Sequence, residues 1–252
     1  MTPLATAACA AVAAIAGALN AVAGGGSFLL FPAILAAGVA PIDANVATTL
    51  ALWPASISST LAYRRELGAH LRLGAILGVV SLLGSLAGAR ALLATPDARF
   101  VRIVPFMLLG ATALFTAGPA LTKRLGTPSR ARGRVAAALA FQALVAAYGG
   151  YFGGGLGIIV LAVLGVILVD TLTRLNALKQ VTSLVVNAVA AGVFVLFGDV
   201  VWSAAAVMLV CAVVGGFLGG TLASRVPARV LQRIVVVIGV AVAIGYAVTM
   251  AT

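Results

Sequence analysis

The segment Ala21-Val22-Ala23-Gly24-Gly25-Gly26-Ser27-Phe28 decides the fold of this chain, because it places three glycines inside an otherwise apolar run. A second triplet, in Gly150-Tyr151-Phe152-Gly153-Gly154-Gly155-Leu156-Gly157, follows 129 residues later. A broken helix leaves backbone N–H and C=O groups unpaired, and hydrocarbon cannot satisfy them. Such breaks persist only where protein or a polar cavity surrounds them, so their recurrence in both halves indicates a site within the membrane.

The composition is that of a polytopic membrane protein. Of the 252 residues, 63% are hydrophobic and 8% are charged, and the mean hydropathy is +1.22. Apolar runs long enough to cross a bilayer follow one another, and no polar segment is long enough for a soluble domain. The sequence therefore predicts a single transmembrane domain over residues 1–252.

The net charge of +11 arises from sixteen Lys and Arg residues against five acidic residues. Most of the basic residues fall in short loops at helix ends, which is typical of the positive-inside rule rather than of a nucleic-acid-binding surface. The number of predicted membrane crossings between loops, here called parity, places the main basic segments on one side. This side is taken as cytoplasmic and holds 64–72, 123–134, the turn near Arg174, and 225–229. The exceptions, which parity places outside, are Arg90, Arg99 and Arg102.

The apolar segments form two similar halves. The predicted segments are 4–23, 28–40, 43–62, 71–94 and 98–121, then 135–150, 156–169, 172–197, 200–223 and 229–250. An offset of 129 superimposes the glycine triplets, and an offset of 132 aligns Gly84 and Gly88 with Gly216 and Gly220. Chance rarely produces matches in this order. We expect a first repeat over 1–122 and a second over 134–252, joined by a basic cytoplasmic linker at 123–133.

The segment after each triplet is too short to cross the membrane comfortably. About 13 or 14 residues give roughly 20 Å of helix, against roughly 30 Å of hydrocarbon. We therefore expect each half to begin with a glycine-broken helical hairpin that returns to its starting side, followed by three transmembrane helices. Because three crossings are odd, the predicted fold is an all-α polytopic membrane protein with two inverted repeats.

Paired small residues predict close helix contacts. Gly84 with Gly88, and Gly216 with Gly220, are spaced four apart, which lets helix backbones approach closely. We expect these contacts within one chain, and a homodimer seam is the alternative.

Lys179 is the first candidate for chemistry within the membrane. It lies about nine residues into a helix predicted to begin near Asp170, and a lysine at that depth normally faces a cavity or a partner. Polar residues at helical spacing extend a stripe beside it: Asn176, Gln180, Ser183 and Asn187. The alternative is that Lys179 extends to the cytoplasmic interface and that the amides only bond neighbouring helices.

The two halves differ in charge at this level. Leu50 aligns with Lys179, and the first half supplies only neutral polar groups near it. The short helices after each triplet aim N–H groups and positive dipole ends into the membrane, which favours anions. The predicted substrate-binding residues are Gly24, Gly25, Gly26, Ser27, Thr48, Thr49, Gly153, Gly154, Gly155, Leu156, Asn176, Lys179, Ser183 and Asn187.

Signatures of an enzyme are absent from the sequence. His70 is the only histidine and lies in the basic loop, so neither a Ser-His dyad nor a histidine-bearing metalloprotease motif can form. Cys9 and Cys211 indicate neither a disulfide framework nor a metal site. We expect Asp43 and Asp170 to cap helices rather than carry protons. The sequence predicts no enzyme, no metal and no cofactor.

These features resemble the TauE/SafE family of bacterial sulfite and organosulfonate exporters, over nearly the whole chain. The segments that carry the resemblance are Ala16-Gly17-Ala18-Leu19-Asn20-Ala21-Val22-Ala23-Gly24-Gly25-Gly26 with Pro32-Ala33-Ile34-Leu35, Tyr151-Phe152-Gly153-Gly154-Gly155-Leu156-Gly157, Asn176-Ala177-Leu178-Lys179 with Asn187, Phe194, Gly198 and Trp202, and Gly216-Phe217-Leu218-Gly219-Gly220. Many relatives have Thr-Asn-Lys where this sequence has Thr48-Thr49-Leu50. One positive charge is therefore missing here.

The resemblance implies a secondary transporter that exports a small anion, sulfite or an organosulfonate first, across the bacterial cytoplasmic membrane. Its partners would be the anionic substrate and the lipid bilayer, with no nucleic acid. A passive anion channel is one alternative. A membrane subunit that recruits a partner through its basic loops, without transporting, is another.

Overall fold

The computed structural model describes residues 1–23, 25–62, 64–124, 132–168, 170–198, 200 and 202–222. This part of the chain is all-helical, with nine α-helices and one 3₁₀ helix. The α-helices are α1 Pro3–Ala23, α2 Ser27–Ala36, α3 Pro41–Ala62, α4 Leu71–Leu93, α5 Asp97–Arg124, α6 Arg132–Tyr151, α7 Leu156–Ile167, α8 Leu172–Phe197 and α9 Trp202–Leu222. The 3₁₀ helix is Arg64–His70.

The helices follow the predicted apolar segments closely, with one clear difference at α2. This helix ends at Ala36 rather than near residue 40. Gly38 ends it because its φ of +85° lies in the left-handed region, and Pro41 then begins α3. The predicted segment 229–250 and the centre of the predicted linker, 125–131, lie outside the described residues.

Three stretches of the described chain are long and apolar enough to cross a membrane: Pro3–Ala21, Leu71–Leu93 and Thr173–Phe197. The helices that follow the glycine breaks are shorter. With 10 residues in α2 and 12 in α7, they reach about 15 and 18 Å, which is less than the hydrocarbon thickness. Each break is thus followed by a helix that ends inside the bundle or returns from it.

Polar contacts define two ends of the bundle. At the basic end, the Nε atom of Arg174 lies 3.9 Å from the Oε2 atom of Glu66, so α8 begins beside the 3₁₀ helix. At the opposite end, the Ile42 N–H donates to Asp97 Oδ1 at 3.0 Å, which joins the starts of α3 and α5. Arg90 lies there too, with its guanidinium 4.3 Å from the centre of the Phe197 ring. Of the basic segments that parity groups together, the turn near Arg174 and the 3₁₀ helix are therefore neighbours.

The expectation that Asp170 caps α8 is wrong. Thr171 is the N-cap of α8, and its hydroxyl accepts from the Arg174 N–H at 3.4 Å. Asp170 lies one residue earlier, where its carboxylate accepts from the Thr171 N–H and pairs with the Arg174 guanidinium. Asp43 lies within the first turn of α3. Both acidic residues thus lie near a helix start, with Asp170 one residue before the N-cap of α8.

Glycines set the closest helix contacts, which lie between α1 and α9 and between α4 and α6. A Cβ atom on Gly17 would overlap the Ala212 carbonyl, and one on Gly215 would overlap the Ala14 carbonyl. Between α4 and α6, Cβ atoms on Gly84 and Gly88 would overlap the carbonyl oxygens of Ala143 and Ala147. Gly84 and Gly88 therefore pack within the chain, as predicted.

The Gly216 and Gly220 pair is only partly described. A Cβ atom on Gly216 would lie 3.1 Å from the Cβ of Ala55, so this glycine also packs within the chain, against α3. The surroundings of Gly220 lie outside what the structure describes.

We predict that Gly88→Ala lowers the melting temperature of the detergent-purified protein, because the added methyl group must displace α6. Overpacking of this kind costs about 1–3 kcal/mol. Gly192→Ala is the matched control, since it is an exposed helical glycine with open space where the Cβ would lie. If both variants have the melting temperature of the unmodified protein, the close contact at Gly88 does not limit stability.

Candidate functional site

The two glycine breaks meet inside the bundle. The first lies between Ala23 and Ser27, and the second lies between Tyr151 and Leu156. The Ser27 hydroxyl donates to the carbonyl oxygen of Gly153 at 3.4 Å. Two segments from opposite halves of the sequence therefore touch at their turns.

Glycine is required at the two breaks for different reasons. Gly153 and Gly155 have φ angles of +75° and +69°, in the left-handed region that other residues rarely adopt. Gly26 has an ordinary helical φ of −59°. A Cβ atom on it, however, would overlap the carbonyl oxygen of Ala16. The second break depends on backbone conformation, and the first depends on space.

Side chains from three helices satisfy carbonyl groups at the breaks. Asn45 Nδ2, on α3, donates to the Tyr151 carbonyl at 3.0 Å. Gln180 Nε2, on α8, donates to the Ala21 carbonyl at 3.3 Å. The Tyr148 hydroxyl, on α6, donates to the Gly154 carbonyl. These three backbone acceptors at the breaks are thus paired by protein, as a membrane interior requires.

Some N–H groups expected to face a ligand are paired within the turns instead. The Leu156 N–H donates to the Gly153 carbonyl at 3.3 Å, and the Phe28 N–H donates to the Gly25 carbonyl at 3.1 Å. Tight i to i+3 bonds of this kind are common in the first turn of a helix. The expectation that these helix starts present free donors therefore does not hold for Phe28 and Leu156.

A small polar cavity lies beside the second break. Its lining consists of Asn20, Ser56, Gly153, Leu156, Gly157, Gln180, Ser183 and Asn187. The cavity volume is about 20 Å³, which is room for about one water molecule. The Ser183 hydroxyl is buried and has no hydrogen-bond partner in the described part of the chain. A buried group of this kind normally binds water or a ligand.

The structure brings part of the predicted set to this cavity and leaves part outside its lining. The predicted residues in the lining are Gly153, Leu156, Ser183 and Asn187. Those at the breaks but not in the lining are Gly25, Gly26, Ser27, Gly154 and Gly155. Gly24 lies outside the described residues. Thr48 and Thr49 turn their hydroxyls to the carbonyls of Ala44 and Asn45 in their own helix.

Three cavity residues were missed as site candidates: Asn20, Ser56 and Gly157. Ser56 lies seven residues after Thr49, so the two share one face of α3. Asn20 lies one turn before the first triplet. Spacing alone could have suggested both, but only the packing of α1 and α3 against α8 shows that they meet. Gln180, seen in the polar stripe, also lines the cavity.

Lys179 is buried in the centre of the bundle. Its side chain is 2% exposed, so it does not extend to solvent at the basic end. Because α8 begins at Leu172, the lysine lies about 10 Å along the helix. No acidic residue in the described ranges forms an ion pair with it. A buried cation without a partner is costly, which makes Lys179 the strongest electrostatic feature of this region.

Lys179 is next to the cavity in sequence but not in its lining. Successive residues on a helix are about 100° apart, so Lys179 projects to one side of Gln180. Ala177, Leu178 and Gln180 are also buried, so α8 is enclosed on several sides at this level. The ammonium group and the cavity lie on adjoining faces of one helix.

Broken helices that meet around a buried polar site in a helical membrane bundle are typical of secondary transporters. The sequence profile described as "Sulfite exporter TauE/SafE" matches residues 9–246. The chain belongs to this family, whose members are multi-pass membrane transporters and not enzymes.

Similar proteins support the same class. A "probable membrane transporter protein" of Haemophilus influenzae is 26% identical over 206 residues, 81% of this chain and 79% of the relative. The "probable membrane transporter protein ORF9" of a Sinorhizobium species is 30% identical over 200 residues, 77% and 74% of the two chains. The protein YfcA of Escherichia coli K12, described in the same words, is 27% identical over 201 residues, 79% and 73%. No solved structure matches this chain significantly.

We predict that Asn45→Leu destabilises the protein by about 1–3 kcal/mol, because it leaves the Tyr151 carbonyl buried without a donor. Thr49→Val is the matched control on the same helix, since its hydroxyl bonds only to a carbonyl of its own helix. Thermal unfolding in detergent measures both. Equal melting temperatures for the two variants would show that the carbonyl finds another donor.

Proposed function

We propose that this protein is a secondary transporter that exports a small anion, with sulfite or an organosulfonate as the first candidate. The observation that carries the proposal is the buried Lys179 ammonium group, which has no ion-pair partner in the described part of the chain. An anionic substrate would supply the missing counter-charge and would offset the cost of burying the lysine. The family's printed description, a sulfite exporter, supports the choice of anion.

The polar cavity supplies the neutral half of the proposed site. Ser183 has an unpaired hydroxyl, and Asn187 lies one turn further along the same face of α8. Together with Asn176, these groups would bind the oxygen atoms of the anion. Lys179 would provide the only fixed charge, because its counterpart Leu50 is a buried leucine.

The cavity is too small for the proposed substrate in this conformation. It holds about one water molecule, and sulfite is larger. Binding therefore requires α8 to shift relative to the glycine breaks, so that the cavity enlarges and Lys179 reaches it. A site that is closed when empty and opens on a conformational change is typical of a carrier.

The helix contacts support the proposal of two inverted repeats, 1–122 and 134–252, joined by 123–133. If α1, α3 and α4 correspond to α6, α8 and α9, the contact of α1 with α9 has a counterpart in α6 with α4. Likewise, the contact of α3 with α9 corresponds to the contact of α8 with α4. The contact of α3 with α8 corresponds to itself, because these two helices exchange places. We propose that the repeats rock about α3 and α8. We also propose that the protein lies in the bacterial inner membrane with its basic end on the cytoplasmic side.

We predict that Lys179→Met lowers saturable sulfite flux into proteoliposomes by at least about 30-fold, the equivalent of roughly 2 kcal/mol for one half of a buried charge pair. Lys179→Arg keeps the charge and should retain part of the activity. Leu178→Met is the matched control, because it changes the neighbouring buried side chain without changing charge. Unchanged flux in Lys179→Met, at equal folded amounts, would remove this charge from the mechanism.

We also predict counterflow, because a carrier exchanges substrate through one site that faces alternate sides. Proteoliposomes loaded with unlabelled sulfite should accumulate labelled sulfite transiently, and taurine or another sulfonate can be substituted to compare substrates. A passive anion channel would instead show single-channel currents and no counterflow. Absence of flux, together with co-purification of a partner, would favour the non-transporting subunit.

A further inference from the structure

Five aromatic rings pack together beside the second glycine break. We name them the aromatic cluster: Phe31, Phe100, Tyr148, Tyr151 and Phe152. The ring centres of Phe31 and Phe152 are 5.4 Å apart, and Phe100 lies 6.3 Å from Phe31 and 6.2 Å from Phe152. The ring planes of Phe31 cross those of Phe100 and Phe152 nearly at right angles, which is a favourable arrangement for aromatic pairs.

The aromatic cluster lies between the polar cavity and the opposite end of the bundle. On its inner side, Phe152 directly precedes Gly153, which lines the cavity. On its outer side, the Tyr151 hydroxyl donates to the Thr95 hydroxyl at 3.2 Å, in the turn before α5. Phe100 lies in the first turn of α5, three residues after Asp97. Phe31, Phe100 and Phe152 are at most 3% exposed, so solvent does not reach their rings.

Both halves of the sequence contribute to the aromatic cluster. Phe31 comes from α2 and Phe100 from α5, whereas Tyr148 and Tyr151 come from α6 and Phe152 directly follows it. Any movement that separates the halves at this end must therefore separate Phe31 and Phe100 from Phe152. Movement that opens only the basic end leaves these contacts intact.

The cluster has no aromatic counterpart in the other half of the sequence. At the offset of 129, Phe31 aligns with Val160, and Tyr148, Tyr151 and Phe152 align with aliphatic residues: Leu19, Val22 and Ala23. At the offset of 131 that aligns the later segments, Phe100 aligns with Leu231. The repeat-related positions therefore differ in side-chain chemistry, because the residues that align with the rings are aliphatic and cannot form aromatic pairs.

We infer that the aromatic cluster is the gate that closes the substrate pathway at the end opposite the basic loops, with Phe100 and Phe152 as its central residues. The inference rests on the proposed transport function. Exchange of substrate with that side requires the rings to part. The cavity therefore opens toward the basic end with the cluster closed, and the cluster opens only when the halves separate beside α5.

A cysteine reporter tests this inference without any transported anion. In a Cys9→Ala/Cys211→Ala background, Ser183→Cys places a thiol in the cavity, and a membrane-impermeant thiol reagent is added to one side of oriented vesicles. Two exposed positions identify the sides: Gly68→Cys at the basic end and Ala94→Cys at the opposite end.

Phe152→Ala and Phe100→Ala should each raise the labelling rate from the opposite end by about tenfold or more, because water can then enter the constriction. Labelling from the basic end should change little. Phe194→Ala is the matched control, since Phe194 is fully buried on α8 but belongs to none of the ring pairs above. It should leave both labelling rates unchanged.

If the alanine variants do not fold, Phe152→Leu and Phe100→Leu keep most of the volume and should raise the same rate by a smaller factor. Unchanged labelling from the opposite end in the folded Phe100 and Phe152 variants would overturn the gate. An equal increase in Phe194→Ala would also overturn it, because loosened packing alone would then explain the result. If the labelling rates change as expected but the unmodified protein shows no sulfite flux, the gate stands and the proposed substrate is wrong.

Discussion

The pairing of backbone groups at the two broken helices is the constraint on which this structure depends. A break inside a membrane is stable only if its carbonyl groups find donors within the protein. Asn45, Tyr148 and Gln180 provide those donors from α3, α6 and α8. The same bonds fix the positions of these helices around the breaks. The same hydrogen bonds thus pair the exposed carbonyl groups and hold together the polar centre of the bundle.

The glycines at this centre also separate two kinds of structural demand. At Gly153 and Gly155 the chain needs a left-handed turn, and at Gly26 it needs close contact with α1. A substitution at Gly26 therefore acts by displacing a neighbouring helix, whereas one at Gly155 acts by straining its own turn. The two triplets look alike in sequence, but glycine is needed for backbone conformation in one and for space in the other.

Much of this architecture can be predicted from the sequence, because glycine triplets and long apolar runs are local signals. The helix positions follow from them, as does the burial of Lys179. The residues that depend on tertiary contact could not be predicted in the same way. Asn20 and Ser56 reach the cavity only because α1 and α3 pack beside α8. The turn at Gly38 and the cap at Thr171 depend on backbone angles that neighbouring polar residues do not reveal.

The bond between Ile42 and Asp97 has a mechanical consequence. It joins the start of α3 to the first turn of α5, which also carries Phe100. Further along α3, Asn45 holds the second break and Ser56 lines the cavity. The same helix that Asp97 holds at its start therefore carries groups at the second break and at the cavity. Because a helix is stiff, a displacement of α5 at this end would be expected to move the polar centre through α3.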